Sequence, residues 1–378
     1  MPVVDVAIVG AGPAGARAGY LLARRGARVV LVDASHPREK PCGGGVTGRA
    51  LDLVSDALRP GAFPRVAIRS ARFAPDVVVP LDSDALVVAS RAAFDRALLD
   101  AAVDAGARLE PARATDVAVG ADRVTIDTTS GRIDAAFVVG ADGANSLVRR
   151  RVATSFRRDQ LSIATGFFAR GVTSDEIAIE FPPGPAGYIW SFPRPDHLAI
   201  GICAQADAGV APAALRARAA DWIRAAGVAS GAPLVSYSWP IPSMSARDFD
   251  SAPLAGGRWA LVGDAAGLVD PITREGIFFA LASAGWLADA LSRDGNTAAD
   301  YMEQAHDEGF SELRRAAQLE AGFFRPPFLR LLVHALRQSA AVRAVMADLV
   351  AGRQTYARLR WRLVKTLEIG LAWRALTT

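Results

Sequence analysis

The amino-acid sequence predicts an α/β fold with a doubly wound parallel sheet, a second domain built on an antiparallel sheet, and C-terminal helices. Three observations predict it. The first 33 residues follow the pattern strand, glycine-rich turn, helix, strand. Two later apolar strands each end in glycine and aspartate. Residues 153–244 alternate apolar and polar side chains between turns, as half-buried antiparallel strands do.

The composition is that of a folded globular protein, with 51% hydrophobic and 22% charged residues. The two cysteines, Cys42 and Cys203, are too few for a disulfide framework or a four-thiolate cluster. The longest uncharged apolar run has 13 residues, short of the roughly 20 that cross a bilayer. The N-terminus also lacks the features of an export signal, so we expect a cytoplasmic protein.

The first element is a βαβ unit, "VDVAIVGAGPAGARAGYLLARRGARVVLVD". Its apolar and polar pattern predicts a strand over residues 3–9, a helix over 13–25 and a second strand over 28–33. The turn between the first strand and the helix has the Gly-X-Gly-X-X-Gly spacing of Rossmann-like dinucleotide-binding domains. The sequence therefore predicts a dinucleotide site at the N-terminus of the helix.

Each glycine of that spacing has a physical role. Gly10 makes the tight turn, Gly12 lets the backbone approach a pyrophosphate, and Gly15 allows close packing of helix on strand. The pyrophosphate then meets the free N–H groups and the positive dipole end of the helix. Asp33 ends the second strand, where it can accept hydrogen bonds from a ribose. The motif alone does not distinguish NAD from FAD.

Two later stretches carry further carboxylates. In "AAFVVGADGANSLVRRRV" an apolar strand ends before Asp142 and Gly143, and in "RWALVGDAAGLVDPITREGIFF" another ends before Gly263 and Asp264. A long apolar helix is predicted to start at Gly276. Carboxyl ends of strands are where doubly wound sheets bind ligands, so we expect both carboxylates near the first motif.

In this order the three elements resemble the FAD-dependent oxidoreductases of the para-hydroxybenzoate hydroxylase fold. The resemblance implies a Rossmann-like FAD-binding domain with an antiparallel substrate domain. The segment "VVASRAAFDRALLDAA" is similar to the one in which an arginine approaches the FAD phosphates, although Arg91 could also be a solvated residue at a helix start. The implied FAD-binding residues are Gly10, Gly12, Pro13, Ala14, Gly15, Asp33, Ala34, Cys42, Gly43, Gly44, Arg91, Asp142, Gly143, Gly263, Asp264, Gly276 and Ile277.

The stretch "KPCGGGVTGRAL" resembles a segment of the geranylgeranyl reductase family, in which a Pro-Cys-Gly-Gly run passes over the flavin ring. Glycines leave room for a flat heterocycle or a lipid chain. The resemblance implies that Cys42 lies near the reactive edge of the flavin, as a proton donor or a gate. The alternative is a cysteine that only packs in the core.

A second stretch, "PAGYIWSFPRPDHLAIGIC", is similar to the same family's Tyr-X-Trp-X-Phe-Pro pattern. Side chains alternate along a strand, so Tyr188, Trp190 and Phe192 share one face. The resemblance implies that this apolar face is directed at the flavin. An ordinary core strand would show the same alternation.

The third match is "DPITREGI", which resembles the family's Pro-X-Thr-Gly-Glu-Gly-Ile loop beside the flavin. Arg274 stands where the family usually has glycine. If that position needs a left-handed backbone, Arg274 must be strained or the turn must differ.

The resemblance implies an FAD-dependent oxidoreductase that reduces carbon–carbon double bonds of a polyprenyl or isoprenoid (geranylgeranyl-type) substrate by hydride transfer from reduced flavin. NADPH or another reductant would dock transiently, because no second dinucleotide motif is present. The implied catalytic residues are Cys42, Tyr188 and Trp190. A flavin-dependent monooxygenase acting on a hydrophobic substrate, and a prenyl-binding protein without activity, remain as alternatives.

The sequence predicts three regions. They are a discontinuous FAD-binding domain at 1–60, 85–150 and 245–300, a substrate domain at 61–84 and 151–244, and a C-terminal helical region at 301–378.

The C-terminal region is basic, and residues 309–378 hold 12 Arg or Lys against 4 Asp or Glu. Its apolar helix face could cover the FAD-binding domain, or it could contact the inner face of a membrane peripherally. No nucleic-acid recognition module accompanies the charge. The oligomeric state is not predicted.

The four histidines, His36, His197, His306 and His334, are far apart and lack metal-ligand spacing. We therefore predict no metal site and expect these residues on the surface or in loops.

Overall fold

The predicted α/β architecture is present in the computed structural model of the chain, which describes residues 4–293 and 296–365. The strands among these residues are β1 (Val4–Val9), β2 (Val29–Val32), β3 (Gly45–Thr47), β4 (Arg65–Ala67), β5 (Ser70–Ala74), β6 (Val77–Pro80), β7 (Leu86–Ala89), β8 (Arg108–Glu110), β9 (Ala114–Val119), β10 (Val124–Thr128), β11 (Gly131–Gly140), β12 (Leu161–Arg170), β13 (Glu176–Glu180), β14 (Gly187–Pro193), β15 (His197–Gln205), β16 (Leu234–Pro242), β17 (Ala255–Gly256) and β18 (Trp259–Leu261). The helices are α1 (Pro13–Arg24), α2 (Gly48–Asp52), α3 (Arg91–Asp104), α4 (Leu147–Val152), α5 (Pro212–Ala226), α6 (Ala246–Ser251), α7 (Ile277–Leu291), α8 (Thr297–Ala305), α9 (Ser311–Phe323), α10 (Pro326–Gln338), α11 (Ala340–Val350) and α12 (Tyr356–Lys365).

The first sheet has the order β17-β18-β11-β1-β2-β8, and β1 pairs in parallel with both β11 and β2. The strand β11 also pairs in parallel with β18. Strands of such a sheet are covered on both faces, which explains why Ala7, Ile8 and Leu31 are fully buried. Because parallel strands end at one edge, the turns after β1, β11 and β18 lie close together.

The predicted first βαβ unit agrees closely with the structure. The helix ends at Arg24, one residue earlier than predicted, and the second strand is Val29–Val32. Val3, the predicted start of the first strand, lies outside the described residues.

The second sheet has the order β16-β12-β15-β14-β13-β5-β6 and is antiparallel except where β13 pairs with β5. Its strand β14 carries the aromatic pattern, and β15 pairs with it along its whole length. The helix α5 covers the face of this sheet that carries Ile189 and Ile202. Its Leu215 and Ala219 pack on these two residues. One face of β14 is therefore covered by a helix, and on the other Tyr188 and Trp190 are buried in a cluster with Phe168 and Phe324.

The C-terminal helices α10 and α11 pack mainly on the second sheet, whereas α8 and α9 bury Tyr301 and Leu313 in the core of the first sheet. Leu336, Val342 and Met346 of α10 and α11 are buried in one cluster with Phe73 and Val79. The predicted apolar face thus covers the substrate sheet, and it also reaches Leu86 and Val88 of the predicted FAD-binding domain, which lie in the same cluster.

The last described helix, α12, is basic, and its Trp361 side chain is 72% exposed. Among residues 4–293 and 296–365, we find no helix with the length and apolar character needed to cross a bilayer. Peripheral membrane contact stays a prediction. Residues 366–378 of the predicted C-terminal region lie outside the described residues.

Candidate active site

The glycine and aspartate turns of the first sheet and the aromatic strand of the second line one continuous cavity. Of the predicted site residues, it brings together Gly10, Gly12, Pro13, Ala14, Asp33, Ala34, Cys42, Gly43, Gly44, Arg91, Asp142, Gly143, Tyr188, Trp190, Asp264, Gly276 and Ile277. Gly15 and Gly263 do not line the cavity. The Gly263 N–H donates to the Ser283 hydroxyl at 3.0 Å behind its wall.

The turn between β1 and α1 depends on glycine for two reasons. Gly10 has a φ of 103°, and a Cβ there would lie 2.4 Å from the Ala141 carbonyl oxygen. A Cβ on Gly15 would lie 1.9 Å from the Gly10 oxygen. Larger residues at these positions would therefore separate α1 from the strand ends.

The N-terminus of α1 opens into the cavity, with Gly12 at the cap and no acidic residue in its first turn. A Cβ on Gly12 would lie 3.5 Å from His36 Nε2 and 3.9 Å from Lys40 Nζ. Free helix N–H groups and two basic side chains around one glycine form an anion site. These residues fit the diphosphate of FAD.

The carboxylate of Asp33 is held by several donors. It accepts hydrogen bonds from the Ala11 N–H at 2.9 Å and the Ser35 N–H at 2.7 Å, and His36 Nδ1 lies 2.6 Å away. Burial acts to raise the pKa of Asp33, but the hydrogen bond and charge of His36, together with the backbone donors of Ala11 and Ser35, outweigh it and hold the pKa well below its usual range. The carboxylate is therefore fixed at the end of β2, and its ribose-binding role stays a prediction.

Arg91 is the first residue of α3 and is buried, which excludes the solvated alternative. Its guanidinium forms two 2.9 Å hydrogen bonds with the Asp95 carboxylate. Burial acts to lower the pKa of Arg91, but the charge of Asp95, its hydrogen bonds and the contact with Cys42 together outweigh burial and raise it. Arg91 Nη1 also lies 3.4 Å from Cys42 Sγ. The predicted phosphate-binding arginine and the predicted catalytic thiol are thus neighbours.

A second carboxylate, Asp264, is buried in the cavity wall. Burial raises its pKa, while the positive charges of Lys40 and Arg91 act in the opposite direction. Burial lowers the pKa of Lys40, and the charge of Arg91 adds to that effect. Lys40 and Arg91 are therefore two cations close to the α1 N-terminus, where FAD brings two negative charges.

The third predicted carboxylate, Asp142, binds its own chain. Its Oδ2 accepts from the Leu147 N–H at 2.6 Å, and its Oδ1 accepts from the Ser146 hydroxyl. Burial raises its pKa, against these hydrogen bonds. Asp142 therefore holds the N-terminus of α4 at the cavity edge.

The Pro-Cys-Gly-Gly loop packs on the aromatic strand. A Cβ on Gly43 would lie 2.6 Å from Phe192 Cδ2, and one on Gly45 would lie 3.0 Å from Phe192 Cε2. The glycines thus make room for a protein ring as well as for any ligand. The loop is part of the cavity wall, with Cys42 partly exposed.

Arg194, which follows β14, holds this loop from the other domain. It is fully buried and forms an ion pair with Glu39. Its Nη2 donates to the Cys42 carbonyl oxygen at 2.6 Å and lies 3.8 Å from Cys42 Sγ. Burial lowers the pKa of Arg194 to about 10. The Cys42 thiol therefore contacts two guanidinium groups, those of Arg91 and Arg194.

The aromatic strand forms an apolar wall. The rings of Tyr188 and Trp190 meet edge to face with centroids 5.9 Å apart, and Trp190 is buried. The Tyr188 hydroxyl donates to the Thr273 carbonyl oxygen at 2.7 Å, and burial raises the pKa of Tyr188 well above its usual value. Tyr188 thus joins the second sheet to the loop before α7.

The loop before α7 contains the predicted departure from the family pattern. Arg274 has a φ of 59°, in the left-handed region that favours glycine. The sequence left two alternatives, a strained Arg274 or a different turn. The structure shows Arg274 in the strained, left-handed conformation.

Sequence reasoning missed several residues of the site. Lys40 is a partly buried charge, and Arg194 is a fully buried one. Arg194 stands between two prolines directly after the aromatic strand, a signal that could have identified it. His36 is in a loop, as expected, but it contacts Asp33 inside the cavity. The expectation for His197 is wrong, since it begins β15 and is buried against Phe168.

Comparison with known proteins identifies the fold and the family. A family model described as "FAD binding domain" matches residues 3–316. Menaquinone reductase of Mycolicibacterium smegmatis is 30% identical over 98% of this chain and 97% of that protein. Digeranylgeranylglycerophospholipid reductase of Methanothrix thermoacetophila is 32% identical over 78% of this chain and 79% of that protein.

Solved structures show the same fold. A geranylgeranyl bacteriochlorophyll reductase-like protein of Thermoplasma acidophilum superposes with a TM-score of 0.78 at 20% identity, covering 96% of this chain and 99% of that one. The flavin-dependent brominase Bmp2 superposes with a TM-score of 0.71 at 21% identity, over 96% and 98%. The fold therefore does not fix the reaction. The family match spans most of the chain, so the protein belongs to the FAD-binding-domain family and is an FAD-dependent oxidoreductase of the para-hydroxybenzoate hydroxylase fold.

Proposed function

We propose that the protein reduces carbon–carbon double bonds of a polyprenyl substrate. The observation that carries the proposal is the apolar cavity that continues from the FAD-binding residues, between the second sheet and the C-terminal helices. Its apolar lining consists of Phe73, Ile177, Ile179, Phe181, Trp190, Phe192, Phe323, Met346, Leu349 and Val350. A branched hydrocarbon chain fits such a surface, because burying it removes apolar area from water on both partners.

The relatives support this choice of substrate. Several that match over most of this chain are named as reductases of menaquinone, of digeranylgeranylglycerophospholipid and of geranylgeranyl diphosphate. Each of these three substrates carries a prenyl chain. A chain of this kind fits an apolar cavity.

FAD in its reduced form supplies a hydride, and the protein supplies the surroundings in which that chemistry occurs. The aromatic wall and the C-terminal helices align the alkene and exclude water. A proton must reach the other alkene carbon. The Tyr188 hydroxyl already donates to Thr273, and burial raises its pKa, so we propose Cys42 as the proton source. We propose NADPH or a similar reductant as the electron donor.

The test is an anaerobic single turnover. The purified protein is photoreduced, mixed with candidate polyprenyl compounds, and followed by the return of the oxidised flavin spectrum. We expect reoxidation by an unsaturated prenyl compound, with a product heavier by two hydrogens. The fully saturated analogue should leave the flavin reduced.

The matched variant is Cys42→Ser. We expect it to bind FAD normally and to slow reoxidation by about 100-fold, the lower range for loss of a general acid. If no prenyl compound reoxidises the flavin without oxygen, and an oxygenated product forms in air, the protein is a monooxygenase and the proposal is wrong.

A further inference from the structure

The side chain of Arg274 crosses from the loop before α7 to the substrate side of the cavity. It is only 4% exposed, and its Nη1 donates to the Ser243 hydroxyl, which directly follows β16. Its Nη2 lies 3.7 Å from a carboxylate oxygen of Glu320 on α9. The guanidinium is therefore held by the second sheet and the C-terminal helices, and it lines the cavity.

This buried cation is incompletely paired. Within residues 4–293 and 296–365, Arg274 Nε is buried and has no hydrogen-bond acceptor. Ser243 is neutral, and burial raises the pKa of Glu320 against the charge of Arg274, which makes Glu320 a weak counter-ion. An unpaired donor of a buried charged group is costly, so the geometry leaves a position for an acceptor in the cavity.

The other polar groups of this loop are already engaged. Glu275 is paired with Arg49, and Asp270 accepts from the Tyr356 hydroxyl at 2.9 Å. The Thr273 carbonyl oxygen accepts from Tyr188. None of these groups supplies the acceptor that Arg274 Nε lacks. Apart from the Cys203 thiol, a weak acceptor that lies beside Arg274, the remaining wall on the substrate side is aromatic or aliphatic.

We infer that Arg274 forms a polar subsite that binds an oxygen acceptor, a carbonyl or a carboxylate, on an otherwise apolar substrate. The inference rests on the proposed function and narrows its substrate class to prenyl compounds that carry an oxygen group close to the reacting region. A plain hydrocarbon chain would leave the guanidinium facing an alkene with no acceptor. The side-chain contacts of Arg274 are on the substrate side, so FAD binding does not depend on them.

The test is a binding titration of the FAD-loaded protein, followed through the flavin absorption spectrum and requiring no turnover. Three probes share one farnesyl chain and end in a carboxylic acid, an aldehyde or a methyl group. In the wild-type protein we expect the acid and the aldehyde to bind more tightly than the hydrocarbon. Arg274→Met should weaken the two oxygenated probes by about tenfold or more, the usual loss for a hydrogen bond to a charged group. Hydrocarbon affinity should change by less than about threefold, since that probe makes no such bond.

Arg274→Gly is the second variant, because it removes the side chain and relieves the left-handed backbone. Arg314→Met is the matched control, since Arg314 is 49% exposed and pairs with Asp250 outside the cavity. Equal affinity of all three probes for both Arg274 variants and the wild-type protein would overturn the inference, as would failure of every probe to bind the wild-type protein. Loss of FAD from the Arg274 variants would also overturn it, by assigning the side chain to the flavin. If the acid binds through Arg274 and no prenyl compound is reduced, only the proposed function is wrong.

Discussion

Gly43 lies against the ring of Phe192, and this contact explains why the loop that carries Cys42 needs a glycine there. A Cβ would lie 2.6 Å from Phe192 Cδ2, closer than carbon atoms approach without movement. We expect Gly43→Ala to lower the free energy of unfolding by about 1–3 kcal/mol, the usual cost of overpacking. Urea denaturation of the FAD-loaded protein measures the change.

Phe192→Leu provides the control for this contact. Combined with Gly43→Ala, it should recover part of the lost stability, because the smaller side chain leaves room for the new methyl group. Gly44→Ala should show no such recovery, since Gly44 has a φ of 84° and its Cβ would lie 2.4 Å from the Ala89 carbonyl oxygen. Additive effects of Gly43→Ala and Phe192→Leu would contradict the explanation.

Asp33 determines part of the acid sensitivity of the protein. Its folded-state pKa is held below the usual value by His36 and backbone donors, against the opposing effect of burial. A group with a lowered pKa contributes stability above its unfolded pKa, near 3.9, and loses that contribution as the pH falls further. Asp33→Asn should therefore be less stable than the wild-type protein by about 1–3 kcal/mol at pH 7.

That difference should begin to shrink near pH 4 and should continue to shrink as the pH falls further towards the folded-state pKa, as measured by urea denaturation across the pH range. The exposed pair partner Asp289 offers a comparison, and Asp289→Asn should change stability little at any pH. A difference for Asp33→Asn that is constant with pH would show that the carboxylate charge does not contribute.

The elements that could be predicted from sequence are those specified by local signals. The first βαβ unit has a glycine motif and a periodic pattern, so its helix was placed within one residue of Pro13–Arg24. The alternation in "GYIWSFP" likewise predicted the shared face of Tyr188 and Trp190, which both line the cavity. The contacts of the Cys42 loop could not be predicted, because Arg194 is 152 positions away in the chain from Cys42.

The loop from Asp270 to Gly276 is tied to the C-terminal helix α12. The Tyr356 hydroxyl donates to Asp270 Oδ2 at 2.9 Å, while Asp270 Oδ1 accepts from the Ile272 N–H at 2.7 Å. We expect Tyr356→Phe to cost about 1–3 kcal/mol of stability, because a buried carboxylate oxygen loses its donor. Hydrogen exchange of this loop should also become faster.

Tyr301→Phe is the matched control for the tyrosine. Tyr301 is fully buried, and its hydroxyl donates to the Leu261 carbonyl oxygen at 2.7 Å, away from the loop. It should lower stability without a selective change in exchange of residues 270–276. Equal exchange of that loop in both variants would contradict a specific tie between α12 and the FAD-binding domain.

At the scale of the whole molecule, the ion pair between Arg194 and Glu39 joins the two large sheets through the Cys42 loop. Arg194 follows the second sheet, is fully buried, and also donates to the Cys42 carbonyl oxygen. Arg194→Met leaves the Glu39 carboxylate without its partner, which we expect to cost about 3–5 kcal/mol. The double variant with Glu39→Gln should be less destabilised than the sum of the single variants.

The same change should loosen the loop and expose its thiol. Cys203 is buried and is therefore inaccessible to a thiol reagent, whereas Cys42 is partly exposed. Labelling by such a reagent therefore reports mainly on Cys42. We expect faster labelling in Arg194→Met and near-normal labelling in the surface variant Arg170→Met, whose pair with Asp196 is exposed. Unchanged labelling together with additive energies would mean that Arg194 does not position Cys42. Other contacts of the loop, such as the packing of Phe192 on Gly43 and the contact of Arg91 with Cys42, would then hold it.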